Sequence, residues 1–165
     1  MDEAAFRELY QRTARPLWGY LARATGNGAL ADDLLQETFF RMIRADFQPD
    51  SDDHARNFLF KVATNLVRDH YRSPKRDTVS LEHSPVVDGP GHRLRLRRDV
   101  RRIFDQLKPR ERELLWLGHV EQFSHKEIAG ILGLKPGSIR LLLYRARRKL
   151  AALMEEADLG PEILR

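Results

Sequence analysis

The chain has 165 residues, with 29 Lys and Arg against 24 Asp and Glu, 42% hydrophobic residues and no cysteine. That length suits one ordinary domain or two small ones, and the missing cysteine excludes disulfide staples and every cysteine-based zinc finger. No apolar run approaches the ~20 residues that cross a bilayer, and the N-terminus lacks the charged-then-apolar layout of a secretion signal. The expectation is a cytoplasmic protein without membrane insertion. The net charge of +5 is unevenly spread: residues 1–73 hold 10 basic and 11 acidic side chains, residues 74–93 balance, and residues 94–165 hold 16 and 10. The basic excess therefore lies at the C-terminal end. A polyanion such as DNA would dock there, or the charge is simply a solvated helix surface.

Taken in chain order, the patterned stretches are helical. Phe6, Leu9, Tyr10, Leu17, Leu21 and Ala24 recur with helical period. Pro16 falls inside that run and predicts the start of a second helix, because proline is tolerated in a first turn and disrupts an interior. Gly26-Asn27-Gly28 ends the segment. A further helix is predicted from about Ala29 to Arg44, with Leu30, Leu34, Met42 and Ile43 inward. Asp32 and Asp33 are placed in its first turn, at the positive end of the helix dipole. After the loop DFQPDSDD, a helix from about Asp53 to Arg72 turns Phe58, Val62, Leu66 and Tyr71 to the core.

Residues 74–93 lose all period and are rich in proline and glycine, so they read as a flexible linker. Fully extended, 20 residues reach about 65 Å, close to two turns of DNA at ~34 Å each. Helical period returns with Leu94, Val100, Ile103, Phe104 and Leu107, and Pro109 starts a helix holding Leu114, Leu115 and Val120. No stretch alternates as a strand does. The fold class predicted is all-α, with two small helical domains, residues 1–73 and 94–165, joined by that linker.

SHKEIAGILGLKPGSIRLLLYRARRKL carries the strongest motif. Ser124 and Glu127 make the S-x-x-E capping box that satisfies orphan amides at a helix start. Ala129 is small where two helices approach, and Gly133 permits a tight exit from the first helix. Leu134 to Pro136 form the turn, and Ile139 and Leu142 supply the buried face of the next helix. This is the spacing of a helix-turn-helix, whose second helix enters the major groove. That helix carries Arg140, Arg145, Arg147, Arg148 and Lys149, suited to base edges near its start and to phosphates further along. Two packed helices with a solvated basic face remain the alternative.

This C-terminal segment resembles region 4 of the extracytoplasmic-function (ECF) sigma factors, in the sigma-70 superfamily. The likeness rests on Leu107-x-Pro109-x-x-Arg112, Ser124-x-x-Glu127-Ile128-Ala129, Leu132-Gly133, Gly137-Ser138-Ile139-Arg140 and Arg145-Ala146-Arg147. The N-terminal half is also similar to that family. Ala31-Asp32-Asp33-Leu34-Leu35-Gln36-Glu37-Thr38-Phe39 resembles its region 2.2 helix. Ala55 to Leu59, Val62 to Asn65 and Asp69 to Arg72 resemble the stretch that follows.

The resemblance implies partners and roles. Asp33, Gln36, Glu37 and Arg41 would bind the β′ clamp helices of core RNA polymerase, whose β subunit is also an implied partner. Lys61, Asn65, Arg68 and Arg72 would read the −10 element of promoter DNA, with Asn65 capturing a base flipped from the melted strand. Lys135, Ser138, Arg140, Arg145, Arg147 and Arg148 would read or hold the −35 element. An anti-sigma factor is a further implied partner.

Three positions depart from the family, in two places. Phe58 stands where a tryptophan is usual, and Leu141-Leu142 stand where many members have Ser-Arg. A helix-turn-helix regulator acting without polymerase would account for residues 107–154 and leave the N-terminal motifs without a purpose. An enzyme on nucleic acid is the third class. The chain has no H-E-x-x-H, no G-x-x-x-x-G-K and no C-x-x-C, so neither catalytic residues nor a cofactor are expected. His119 and His125 read as solvated or capping side chains, and Glu111 and Glu113 as exposed helix acids.

Overall fold

The computed structural model describes residues 1–72 and 92–159, with side chains described from residue 98 in the second stretch. The described residues form two compact helical units.

The first unit has three helices, α1 (Glu3–Thr25), α2 (Gly28–Arg44) and α3 (Asp52–Arg72). Each packs on the other two. Asp2 caps α1, its carboxylate accepting from the Ala5 amide at 2.8 Å, and Gly26 closes the helix in the left-handed conformation. Pro16 does not start a second helix. It lies inside α1, which runs unbroken across it. Thr13, Leu17, Tyr20 and Leu21 on either side of it are buried, and packing along this face holds a helix that lacks one backbone hydrogen bond. The Thr13 hydroxyl donates to the Leu9 carbonyl one turn before the proline, at 2.7 Å.

Asn27 caps α2 by accepting from the Leu30 amide at 3.1 Å. The helix begins at Gly28, so Asp32 and Asp33 lie in its second turn rather than its first. Asp32 is instead used in tertiary contact, accepting from the Trp18 indole N–H of α1 at 2.7 Å. The buried stripe of α2 is Ala31, Leu34, Leu35, Thr38, Phe39 and Met42. Leu30 is only half-buried, and Ile43 is 57% exposed, because both stand at the edges of that stripe.

On α3 the buried residues are Ala55, Leu59, Phe60, Ala63, Thr64, Leu66 and Val67. Phe58 and Val62 are half-buried flanking residues. Phe58 stacks on the Phe47 ring of the preceding loop, with centroids 3.9 Å apart. Tyr71 is exposed, its hydroxyl donating to the Ala24 carbonyl at 2.8 Å. The Arg12 guanidinium of α1 forms a two-pronged pair with Asp52 at the start of α3 and holds that carboxyl below the usual range.

The second unit contains α4 (His92–Asp105), α5 (Pro109–Leu115), a π-helical turn (Trp116–Val120), the first part of α6 (His125–Leu132) and α7 (Pro136–Glu156). Helix α4 starts two residues inside the stretch expected as linker; residues 74–91 of that stretch lie outside the described residues. Helices α4 and α5 both pack on α7, around Leu107, Leu115 and Ala146, with Phe104, Leu150 and Leu153 closing the cluster. Val120 is not inward: it ends the π turn and is 56% exposed, because widening the helix shifts the phase of its inner face. Leu117 and Phe123 are buried there instead. Gly118 makes a close approach, since a Cβ at that position would lie 3.3 Å from the Leu143 Cδ2 of α7.

Candidate nucleic-acid and protein interface

The local chemistry of α6 and α7 follows the turn residues. The Ser124 amide donates to the Glu127 carboxylate at 2.7 Å, and the Glu127 amide donates to the Ser124 hydroxyl at 3.2 Å. The capping box is thus closed in both directions. Gly133 takes φ 68°, a conformation costly for any residue with a Cβ, and the Leu134 amide then bonds the Ala129 carbonyl at 2.9 Å. Pro136 opens α7 at its first position. Ile128 and Ile139 are wholly buried; burial of such a side chain is worth about 1.5–3 kcal/mol. These features fix a helix-turn-helix pair.

The expected inward register of α7 needs a correction. Leu143 is buried and Leu142 only half-buried, so the inner stripe runs through Ile139, Leu143 and Ala146. Arg140, Arg145, Arg147 and Arg148 are exposed, as is Lys135. Ser138 is half-buried, and its hydroxyl donates to the Lys135 carbonyl at 2.7 Å. Lys149 is withdrawn from the free basic face by an ion pair with Glu111 at 3.0 Å. Glu111 and Glu113 are not exposed acids: the Glu111 side chain is 19% exposed and Glu113 is buried. His119 is lowered from its usual pKa by burial and by the nearby Arg147 charge.

In the first unit, Asp33, Gln36 and Arg41 are exposed and Glu37 half-buried. Helical period places Asp33, Glu37 and Arg41 in successive turns, on the side away from the buried stripe. The Arg41 guanidinium pairs with Glu37 at 2.8 Å. An exposed pair of this kind adds about 0.3–0.5 kcal/mol, so either partner can be recruited by another surface at little cost. On α3, Lys61, Asn65 and Arg72 are exposed and Arg68 half-buried. Lys61, Asn65 and Arg68 follow at spacings of four and three, on one side of the helix.

Exposed apolar residues join these surfaces, and of them only Leu141 was singled out in the sequence, as a departure from the family. Phe40 (53% exposed) sits beside Gln36 and Glu37 on α2, and Leu141 (50%) and Tyr144 (53%) project from α7. The signal for the last two was the Ile139–Leu143–Ala146 spacing, which leaves them outside the inner stripe. Among the described residues no group of His, Cys, Asp and Glu could hold a metal, and no helix is long and apolar enough to cross a membrane.

Comparison with known proteins covers both units. Residues 9–77 match the family model for sigma-70 region 2, and residues 97–150 match that for sigma-70 region 4. RNA polymerase sigma factor CarQ of Myxococcus xanthus is 35% identical over 163 residues, covering 94% of this chain and 92% of that protein. ECF RNA polymerase sigma factor SigM of Bacillus subtilis is 30% identical over 88% of this chain and 93% of its own. Among solved structures, CnrH in complex with the cytosolic domain of CnrY has a TM-score of 0.70 at 30% identity, covering 94% and 90% of the two chains. The sigma factor RpoE in complex with the anti-sigma factor NepR from Bartonella quintana has a TM-score of 0.74 at 23% identity, covering 92% and 97%, a likeness of fold.

Proposed function

The chain belongs to the ECF group of the sigma-70 family, and from that premise we propose that it binds core RNA polymerase and directs it to specific promoters. Residues 1–73 act as the unit that holds polymerase and opens the −10 element, residues 74–93 as a linker, and residues 94–165 as the unit that reads the −35 element. It is a regulatory initiation factor and not an enzyme, and its site of action is the cytoplasm.

The observation that carries this reading is the outward placement of two different surfaces. Asp33, Gln36 and Arg41 are exposed on α2, with Glu37 half-buried among them, and Lys61, Asn65 and Arg72 are exposed on α3. The first group meets the β′ subunit, with the β subunit a further contact of the chain. In the second group, the Asn65 amide has both a donor and an acceptor for the Watson–Crick edge of an extruded base. Lys61, Arg68 and Arg72 hold the backbone around it. Capturing the unstacked base favours the melted state, so recognition and strand opening become one event.

On α7, Arg140 and Lys135 near the helix start contact base edges, with Ser138, while Arg145, Arg147 and Arg148 hold phosphates. The complexes solved for relatives motivate one more partner, an anti-sigma factor that covers these surfaces until it is released. Adding the chain to sigma-free core polymerase should give discrete transcripts from genomic templates that core alone ignores. Transcription indistinguishable from that of core alone would contradict the proposal.

A further inference from the structure

Leu141 occupies the position on α7 that packing does not explain. With about 3.6 residues per turn, it points directly away from the mean direction of buried Ile139, Leu143 and Ala146, and it is 50% exposed. An exposed leucine alone is ordinary; its surroundings are not. Gly137 lies one turn before it, and a Cβ there would meet nothing within 4 Å, so the helix backbone is open to close approach. Arg145 and Arg148 follow at one and two turns, both exposed. Tyr144 completes the face, with the Arg148 guanidinium 5.8 Å from its ring centroid and donating to its hydroxyl at 3.3 Å.

Two exposed apolar side chains, Leu141 and Tyr144, flanked by Arg145 and Arg148 are a poor seat for an apolar protein surface, which would strip water from the guanidinium groups without pairing them. They suit a duplex. Phosphates line both rims of the major groove, and the apolar feature on its floor is the thymine 5-methyl group.

We propose that Leu141 reads a thymine of the upstream promoter element by packing on its 5-methyl group, while Arg145 and Arg148 hold the flanking phosphates. This rests on the reading of α7 as the helix that enters the groove.

The test uses holoenzyme assembled from the full chain and core polymerase. Duplexes are selected from a random-sequence pool, and each upstream thymine is then replaced in turn by deoxyuridine, which removes only the methyl group. Binding should fall about fourfold at one position, the worth of one buried methyl-sized group. Leu141→Ala holoenzyme should bind the thymine and uridine duplexes equally, with the melting temperature of the chain unchanged, and Leu141→Met should retain the preference. The inference is overturned if no upstream methyl matters to the wild-type protein, or if Leu141→Ala keeps the same preference. If holoenzyme forms but selects no duplex, the reading of α7 fails and takes the inference with it.

Discussion

In the first unit the surfaces assigned to recognition are the outer sides of two long helices, whereas in the second they are built around a capped turn. Helices α2 and α3 bury one stripe each and leave Asp33, Gln36, Lys61 and Asn65 exposed on regular backbone. Helix α6 starts at the reciprocal Ser124–Glu127 cap, Gly133 turns the chain in the left-handed conformation, and α6 and α7 each bury an isoleucine, Ile128 and Ile139. The charges differ in the same sense: the first 73 residues are near neutral and the last 72 carry the whole basic excess. The difference suggests a division of labour. On the proposed reading, the near-neutral unit would gain specificity from individual polar groups and the basic unit affinity from phosphates.

That division can be broken first at α2. Reversing two charges together, Asp33→Lys with Glu37→Lys, should weaken binding to core polymerase by about thirtyfold or more, the scale of an interface hot spot. Helical content and the melting temperature should stay near wild type. Sizing or fluorescence titration against core polymerase reads the result, and unchanged affinity would remove α2 from the interface.

Next in size is Asn65→Ala. Promoter opening, followed by permanganate reactivity of unpaired thymines, should fall about tenfold or more, since one base-specific amide contact is worth ~1–3 kcal/mol. Polymerase binding should be unaffected. Equal loss of both would show that Asn65 serves the fold or the polymerase surface instead.

The contrast between specific and electrostatic contacts is sharpened by salt. Arg145→Ala with Arg148→Ala should lower the slope of log affinity against log salt for holoenzyme on promoter DNA by about 2, roughly one per phosphate contact. Asn65→Ala should leave that slope alone. The smallest effect is on stability: Ser124→Ala removes one half of the capping box and should cost about 1 kcal/mol, measured by denaturant unfolding. A loss under a few tenths would mean that packing, not the cap, sets the turn.

Legibility in the sequence differed between the two units for physical reasons. The turn of the second unit could be read residue by residue, because capping and left-handed glycine are local chemistry. Its inner stripe could not be phased within Leu141-Leu142-Leu143, where three identical residues hide which one faces inward. The break expected at Pro16 failed because burial on both sides outweighed one missing backbone bond, and no local signal reports that. Ile43 and Val120 were misplaced at a stripe edge and in a π turn, where regular periodicity gives no guidance. On α2 and α3, polar outer residues look the same whether they meet water or a partner, so their roles came from family resemblance and not from pattern.

Co-elution of the purified chain with sigma-free core RNA polymerase on a sizing column decides whether the first unit carries a polymerase-binding surface. The expected result is a stoichiometric complex that is lost in the Asp33→Lys, Glu37→Lys double variant. A folded chain, free of any bound inhibitor, that elutes apart from the polymerase would contradict it and leave a helix-turn-helix regulator acting alone as the better description.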